Sequence, residues 1–165
     1  MRRPATVVAL LMVSSLLGGV VADPAAATTS VVVRMTFAEP AHPNFIKGCA
    51  VFPEGFCGSG EVVPFGQATE SIAFGVGCGG TCDLRTIVLR DGTLTLEETG
   101  IFRCLGACGT YPVEAGYGDL TDTIVAGTGI FAGATGTLTG TVRAAVSNAR
   151  PSGGSQVQLS GQIGY

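Results

Sequence analysis

The chain has 165 residues, 46% of them hydrophobic and only 13% charged, with 26 glycines and no tryptophan. That is the length of one domain with a real core, and it is too apolar for a disordered chain. A formal net charge of −3 and a single lysine, Lys47, argue against a nucleic-acid surface or a polybasic membrane anchor, since both need clustered Lys and Arg.

Arg2 and Arg3 open the chain, and an apolar run follows from Ala5 to Ala22. Small-residue patterns then occur at Val20-Val21-Ala22 and Ala25-Ala26-Ala27. This is the layout of a secretory signal peptide, with cleavage expected after Ala27. The run is near the lower limit for spanning a bilayer and lacks a basic stop-transfer flank, so no stable membrane anchor is expected. Residues 1–27 are read as the signal peptide, residues 28–165 as the mature domain, and the protein as secreted.

The mature segment reads as strands and turns. Val31 to Phe37 is a β-branched run that places Val31, Val33, Met35 and Phe37 on one face. Ala38 to Gly60, with Pro40, Pro43 and Pro53, reads as a long loop. Gln67 to Gly75 alternates around Ile72 and Phe74. Arg85 to Arg90 and Thr93 to Glu98 flank a hairpin turn at Arg90-Asp91-Gly92-Thr93. Tyr111 and Tyr117 fall in a Gly/Pro-rich link, followed by a short strand from Asp122 to Ala126. Thr135 to Val146 and Gln156 to Ile163 close the chain around a turn at Pro151-Ser152-Gly153-Gly154. No stretch keeps a 3.6-residue apolar period. The expected fold is all-β, a single antiparallel barrel of about eight strands, which removes exposed edges.

Six cysteines survive cleavage: Cys49, Cys57, Cys78, Cys82, Cys104 and Cys108. An even number on an exported chain reads as three disulfides stapling the barrel, although connectivity is open among fifteen pairings. Cys78–Cys108 and Cys82–Cys104 are nested symmetrically about one centre near the Asp91-Gly92 turn. This nested pairing is preferred over local Cys78–Cys82 and Cys104–Cys108 bonds, which the neighbouring glycines also permit. Cys49–Cys57 would then staple a surface loop. The Cys-x3-Cys spacings differ from the usual Cys-x2-Cys zinc knuckle, so no metal is expected.

The stretch from Asp122 to Gly140 is the most distinctive. Its core is Gly127, Thr128, Gly129, Ile130, Phe131, Ala132, Gly133, Ala134, Thr135 and Gly136. It resembles the strand–turn–strand signature of the allene oxide cyclase and dirigent barrel superfamily, with Ala126 in place of that signature's first glycine. The Asp91-Gly92-Thr93 turn resembles secreted actinobacterial members of the same group. The resemblance implies a barrel whose lumen can hold an apolar small molecule, and it leaves a homo-oligomer open because relatives often form dimers or trimers. Within the motif, Phe131 and Ile130 are expected to plug one end of the barrel. A phosphate loop is ruled out, since the glycine spacing is wrong and a strand follows where a helix would be needed.

His42, the only histidine, lies between prolines and reads as a loop residue. No nucleophile-elbow or cofactor motif is found, so no cofactor is expected. The candidate ligand-binding residues are ionisable or phenolic groups on or near strands: Glu70, Arg85, Arg103, Tyr111, Tyr117 and Asp122. Glu97 and Glu98 are adjacent on a strand and point to opposite faces, so they do not converge. No catalytic residue carries over from the resemblance. The leading expectation is a small-molecule-binding or surface-interaction module. The alternatives are an isomerase, cyclase or dirigent-type protein acting on an apolar molecule in the lumen, and a secreted inhibitor or toxin.

Overall fold

In a computed structural model of the chain, residues 29–40, 55–105, 113–147 and 153–165 are described. Eight antiparallel strands follow one another around a closed barrel: β1 (Ser30–Pro40), β2 (Gly55–Val63), β3 (Gly66–Gly77), β4 (Cys82–Leu89), β5 (Gly92–Cys104), β6 (Val113–Gly127), β7 (Thr135–Ser147) and β8 (Gly154–Gly164). Each strand pairs with its chain neighbours, and β8 returns to β1 with Val33 opposite Gly161 and Glu39 opposite Ser155. Among the described residues the only helical piece is one 3-10 turn, Gly129–Phe131. No described helix is long and apolar enough to cross a membrane.

The expected face of β1 points inward: Val33, Met35 and Phe37 are buried and Val31 packs against them. Two corrections follow from the ladder. The stretch read as a loop from Ala38 to Gly60 contains the end of β1 and most of β2. The residues glycine and proline mark as breaks lie in part within paired strand, because Gly60 sits where a Cβ would meet the Thr36 carbonyl at 1.9 Å. Close approach to β1, rather than a turn, is what this glycine serves. Likewise β6 starts at Val113, so Tyr117 lies on a strand opposite Arg103 rather than in a link. Tyr111, His42, Cys49, Cys108 and residues 1–27, the expected signal peptide, lie outside the described residues.

The interior is layered along the barrel axis. Toward one end the lumen is filled by Val33, Met35, Phe37, Val62, Ile87, Leu94, Leu96, Leu138 and Ile163, all essentially inaccessible. Phe131 closes this end, edge-on to Phe65 at 4.9 Å and tilted against Tyr165 at 5.7 Å. The plug expected of Phe131 is present, whereas its neighbour Ile130 is 47% exposed and does not share the role. The two sequence features singled out earlier dock on each other here. Thr93 N–H donates to the Thr128 hydroxyl at 3.1 Å, and Ile130 N–H donates to the Asp91 carbonyl at 3.1 Å. Gly129, at φ +61°, is pressed so close to Asp91 that a Cβ would lie 2.1 Å from its carbonyl oxygen. Gly133 and Gly136 also adopt positive φ, while Ala134 is buried beside the plug.

Outward positions on β7 and β8 are Thr137, Thr139, Thr141, Gln156, Gln158 and Gln162, so this part of the outer wall is polar. Cys78 and Cys82 are bonded to each other, and Cys57 and Cys104 are also disulfide-bonded. The nested pairing is therefore corrected. Leu89 pairs with Gly92 and Asp83 with Glu98, so the register would set Cys82 opposite Thr99, far short of Cys104.

Candidate functional site

The filled layer ends at a belt of charged side chains. Glu39 on β1, Glu70 on β3, Arg85 on β4, Glu98 on β5 and Asp122 on β6 are all buried, as is Ser155 on β8. Each continues the inward alternation of its strand: Glu39 follows Phe37, Glu98 follows Leu96, and Asp122 precedes Ile124. Strand β2 contributes Gly58, directly opposite Glu70, where a Cβ would lie 2.6 Å from Glu70 Oε1. The missing side chain is what leaves room for the carboxyl.

Arg85 is the hub of the belt and is fully inaccessible. Its Nε donates to Glu98 Oε2 at 2.9 Å and lies 3.2 Å from Asp122 Oδ2. Its Nη1 contacts Glu39 Oε1 at 3.3 Å and also Glu70 Oε2, and its Nη2 reaches Glu98 Oε2. The Ser155 hydroxyl donates to Glu39 Oε2 across the β1–β8 seam. A planar guanidinium with several donors suits this bridging role, which a point-charge ammonium does not.

Four acids around one cation cannot all ionise in a buried site. Burial, with Glu39 reinforcing it and Arg85 opposing it, pushes the Glu70 carboxyl up to about 8. Burial and Glu98 push Asp122 up to about 8 as well, again against Arg85. Burial opposes the charge on Arg85, but the surrounding acids outweigh it and raise its pKa further. Hydrogen bonding divides the acids into two pairs, Glu70 with Glu39 and Asp122 with Glu98. As acceptors alone, Glu70 Oε1 and both Asp122 oxygens have no partner. A proton held by each pair resolves that shortage, because a protonated carboxyl can donate to its neighbour.

Beyond the belt the lumen is open. A cavity of about 400 Å³ is walled by Phe56, Ile72, Phe74, Phe102, Leu120, Val142 and Val157, with Glu39, Arg85, Glu98 and Ser155 on its polar side. Phe56 and Phe74 meet edge to face at 5.5 Å. Small residues on the facing strands, Gly100 and Ala144, keep this half of the lumen unfilled. A second cavity of about 580 Å³ runs along β6 and β7 beside Tyr117 and Arg143, but no buried charged side chain lines it.

The structure therefore gathers three of the sequence candidates, Glu70, Arg85 and Asp122, into one cluster. It separates two others: Arg103 is largely exposed and lies 3.6 Å from Asp119, and Tyr117 is exposed across from it. Glu39, Glu98 and Ser155 were not foreseen. For Glu39 the signal was present, since it extends the 31-33-35-37 face by one step. Glu97 and Glu98 do point to opposite sides, as expected, yet Glu98 finds a partner acid on the next strand. Glu97 instead accepts the Cys78 N–H at 2.7 Å, beside a disulfide whose sulfurs are bonded to each other rather than free to ligate a metal. No protein-family model, curated protein or solved structure matches the chain.

Proposed function

We propose that the protein is an exported barrel that binds a small, largely apolar molecule in its open half-lumen. The observation that carries this reading is the cavity itself, about 400 Å³ with mainly apolar walls and one polar floor. Binding sites for small molecules combine these features: enclosure, apolar contact area and a few convergent polar groups that set orientation. Eight strands suffice for a lumen that holds one small ligand. The surface-interaction reading drew its support from the lack of a convergent polar constellation, and the belt around Arg85 removes that support. The oxidised state of Cys57, Cys78, Cys82 and Cys104 supports export, as does the leader-like start of the chain. The likeness of the 127–136 turn to the allene oxide cyclase and dirigent superfamily agrees with a closed barrel and a lumen ligand, although fold alone does not set activity.

A second reading, an isomerase or cyclase acting on the bound molecule, draws on one further observation. The floor holds paired carboxyls with protonation equilibria near neutrality, the range in which general acids and bases work.

Native mass spectrometry of protein recovered from a secreting actinobacterial host, set against its denatured mass, tests the proposal. Added mass that persists under gentle ionisation and disappears on denaturation is the expected result. If the native protein shows only its chain mass and takes up no apolar probe at high concentration, the lumen-binding role is lost.

A further inference from the structure

We infer that the lumen ligand is a cationic amphiphile, with an apolar tail along the phenylalanine-lined walls and an ammonium head seated against Glu39 and Glu98. This rests on the lumen-binding role and adds to it the sign of the head group.

The argument starts from charge. Around the cavity floor β1 presents Glu39, β3 Glu70, β4 Arg85 and Asp83, β5 Glu98 and β6 Asp122. The other strands add no ionisable group at this level: β2 offers Gly58, β7 Leu138 and Gly140, and β8 Ser155. Five acids thus stand against one guanidinium. The only cation among the described cavity-lining residues is Arg85, which is wholly enclosed and already engaged by four carboxyl groups. It has no free face for an anionic head.

An anion entering the cavity would meet Glu39, Glu98 and Asp83 before any positive group, an unfavourable encounter in a half-buried site. A neutral head would leave the acid excess as it is. A cation corrects it, and does so where Glu70 Oε1 and Asp122 Oδ1 are buried with no hydrogen-bond partner other than a proton shared within their acid pairs. Glu39 and Glu98 link those oxygens to the cavity, since each belongs both to the cavity lining and to one of the acid pairs. A cation resting on them favours the ionised pair, so its arrival expels a proton from the belt.

Calorimetric titration of the intact, oxidised protein with n-decylammonium, decanol and decanoate near pH 7 distinguishes the outcomes. The ammonium probe is expected to bind about tenfold or more tighter than decanoate, as one opposite-charge against one like-charge contact would give. It should release protons, seen as heat that depends on the buffer's ionisation enthalpy, whereas decanol should release none. Glu98→Gln should narrow the preference for ammonium over decanol. If that variant does not fold, the proton count on the wild type decides. Decanol or decanoate binding as tightly as decylammonium overturns the head-group inference and leaves the lumen role standing. Failure of all three probes to bind overturns both.

Discussion

Glu98 and Asp122 stand directly opposite each other on β5 and β6, both turned into the lumen, and share a hydrogen bond at the side of Arg85. Two acids in register on one face are ordinarily repulsive. Here the contact persists because burial, reinforced by Glu98, pushes the Asp122 carboxyl up to about 8, so that Asp122 faces Glu98 as a neutral acid at pH 7.

This arrangement sets an unusual pH dependence. Glu70 and Asp122 have folded-state values raised to about 8 from ordinary values near 4. Between those limits the folded protein holds protons that the unfolded chain has released. Their contribution to stability is fully present below about pH 4 and is lost as pH rises toward 8, at about 1.4 kcal/mol per pH unit for each group. The midpoint of thermal unfolding should therefore fall between pH 5 and pH 8. Asp122→Asn, which fixes the neutral form, should roughly halve that slope. A melting temperature that rises over this interval would contradict the assigned protonation.

Arg85 is predicted to be the least replaceable residue of the belt. Arg85→Met leaves the acids buried with no counter-charge, and breaking a buried pair from one side costs about 3–5 kcal/mol. Arg85→Lys should recover only part of this, because an ammonium cannot place donors toward Glu39, Glu70, Glu98 and Asp122 together. Urea unfolding at pH 7 measures both.

The fold was readable in the sequence wherever alternation was uninterrupted. The Val31 to Phe37 face, the hairpin at Asp91-Gly92 and the plug residue Phe131 all follow from local pattern, and the barrel class from their number. Strand β2 was hidden because two of its inward positions are Gly58 and Gly60, chosen for lack of volume beside Glu70 and Phe37, and such residues read as breaks. The belt was half visible. Glu70, Arg85 and Asp122 are charges inside strands, which marks them individually, but a charge on an alternating strand is ordinarily on the solvent face. What places them together is the closure of β8 onto β1 and the stagger of six strands, and no local window contains that information. Arg103 and Tyr117 carry the same kind of local signal and end up outside because they fall on the opposite alternation of β5 and β6 from Glu98 and Asp122.

The closed end offers a paired test. Phe131 is fully buried among Phe65, Tyr165 and the apolar core, so Phe131→Ala should cost about 3–5 kcal/mol. Ile130 is half exposed on the same turn, and Ile130→Ala should change stability by no more than about 0.5 kcal/mol. Equal effects in chemical denaturation would mean that the turn, rather than the plug, carries the stability of this end.

The open half-lumen can be closed without touching the belt. Ala144 on β7 lies opposite Ser155 and shares the inward face with Val142, so a larger side chain there projects into the cavity rather than into packed core. Space on that side is unoccupied, so overpacking should be slight. Ala144→Phe is expected to keep the melting temperature within a few degrees of the wild type and to weaken binding of the apolar probe by about tenfold or more, the loss expected when a tail is displaced from its walls. If affinity is unchanged while the fold is intact, the probe occupies neither this half-lumen nor the depression along β6 and β7, which Ala144 also lines, and the lumen-binding role is lost.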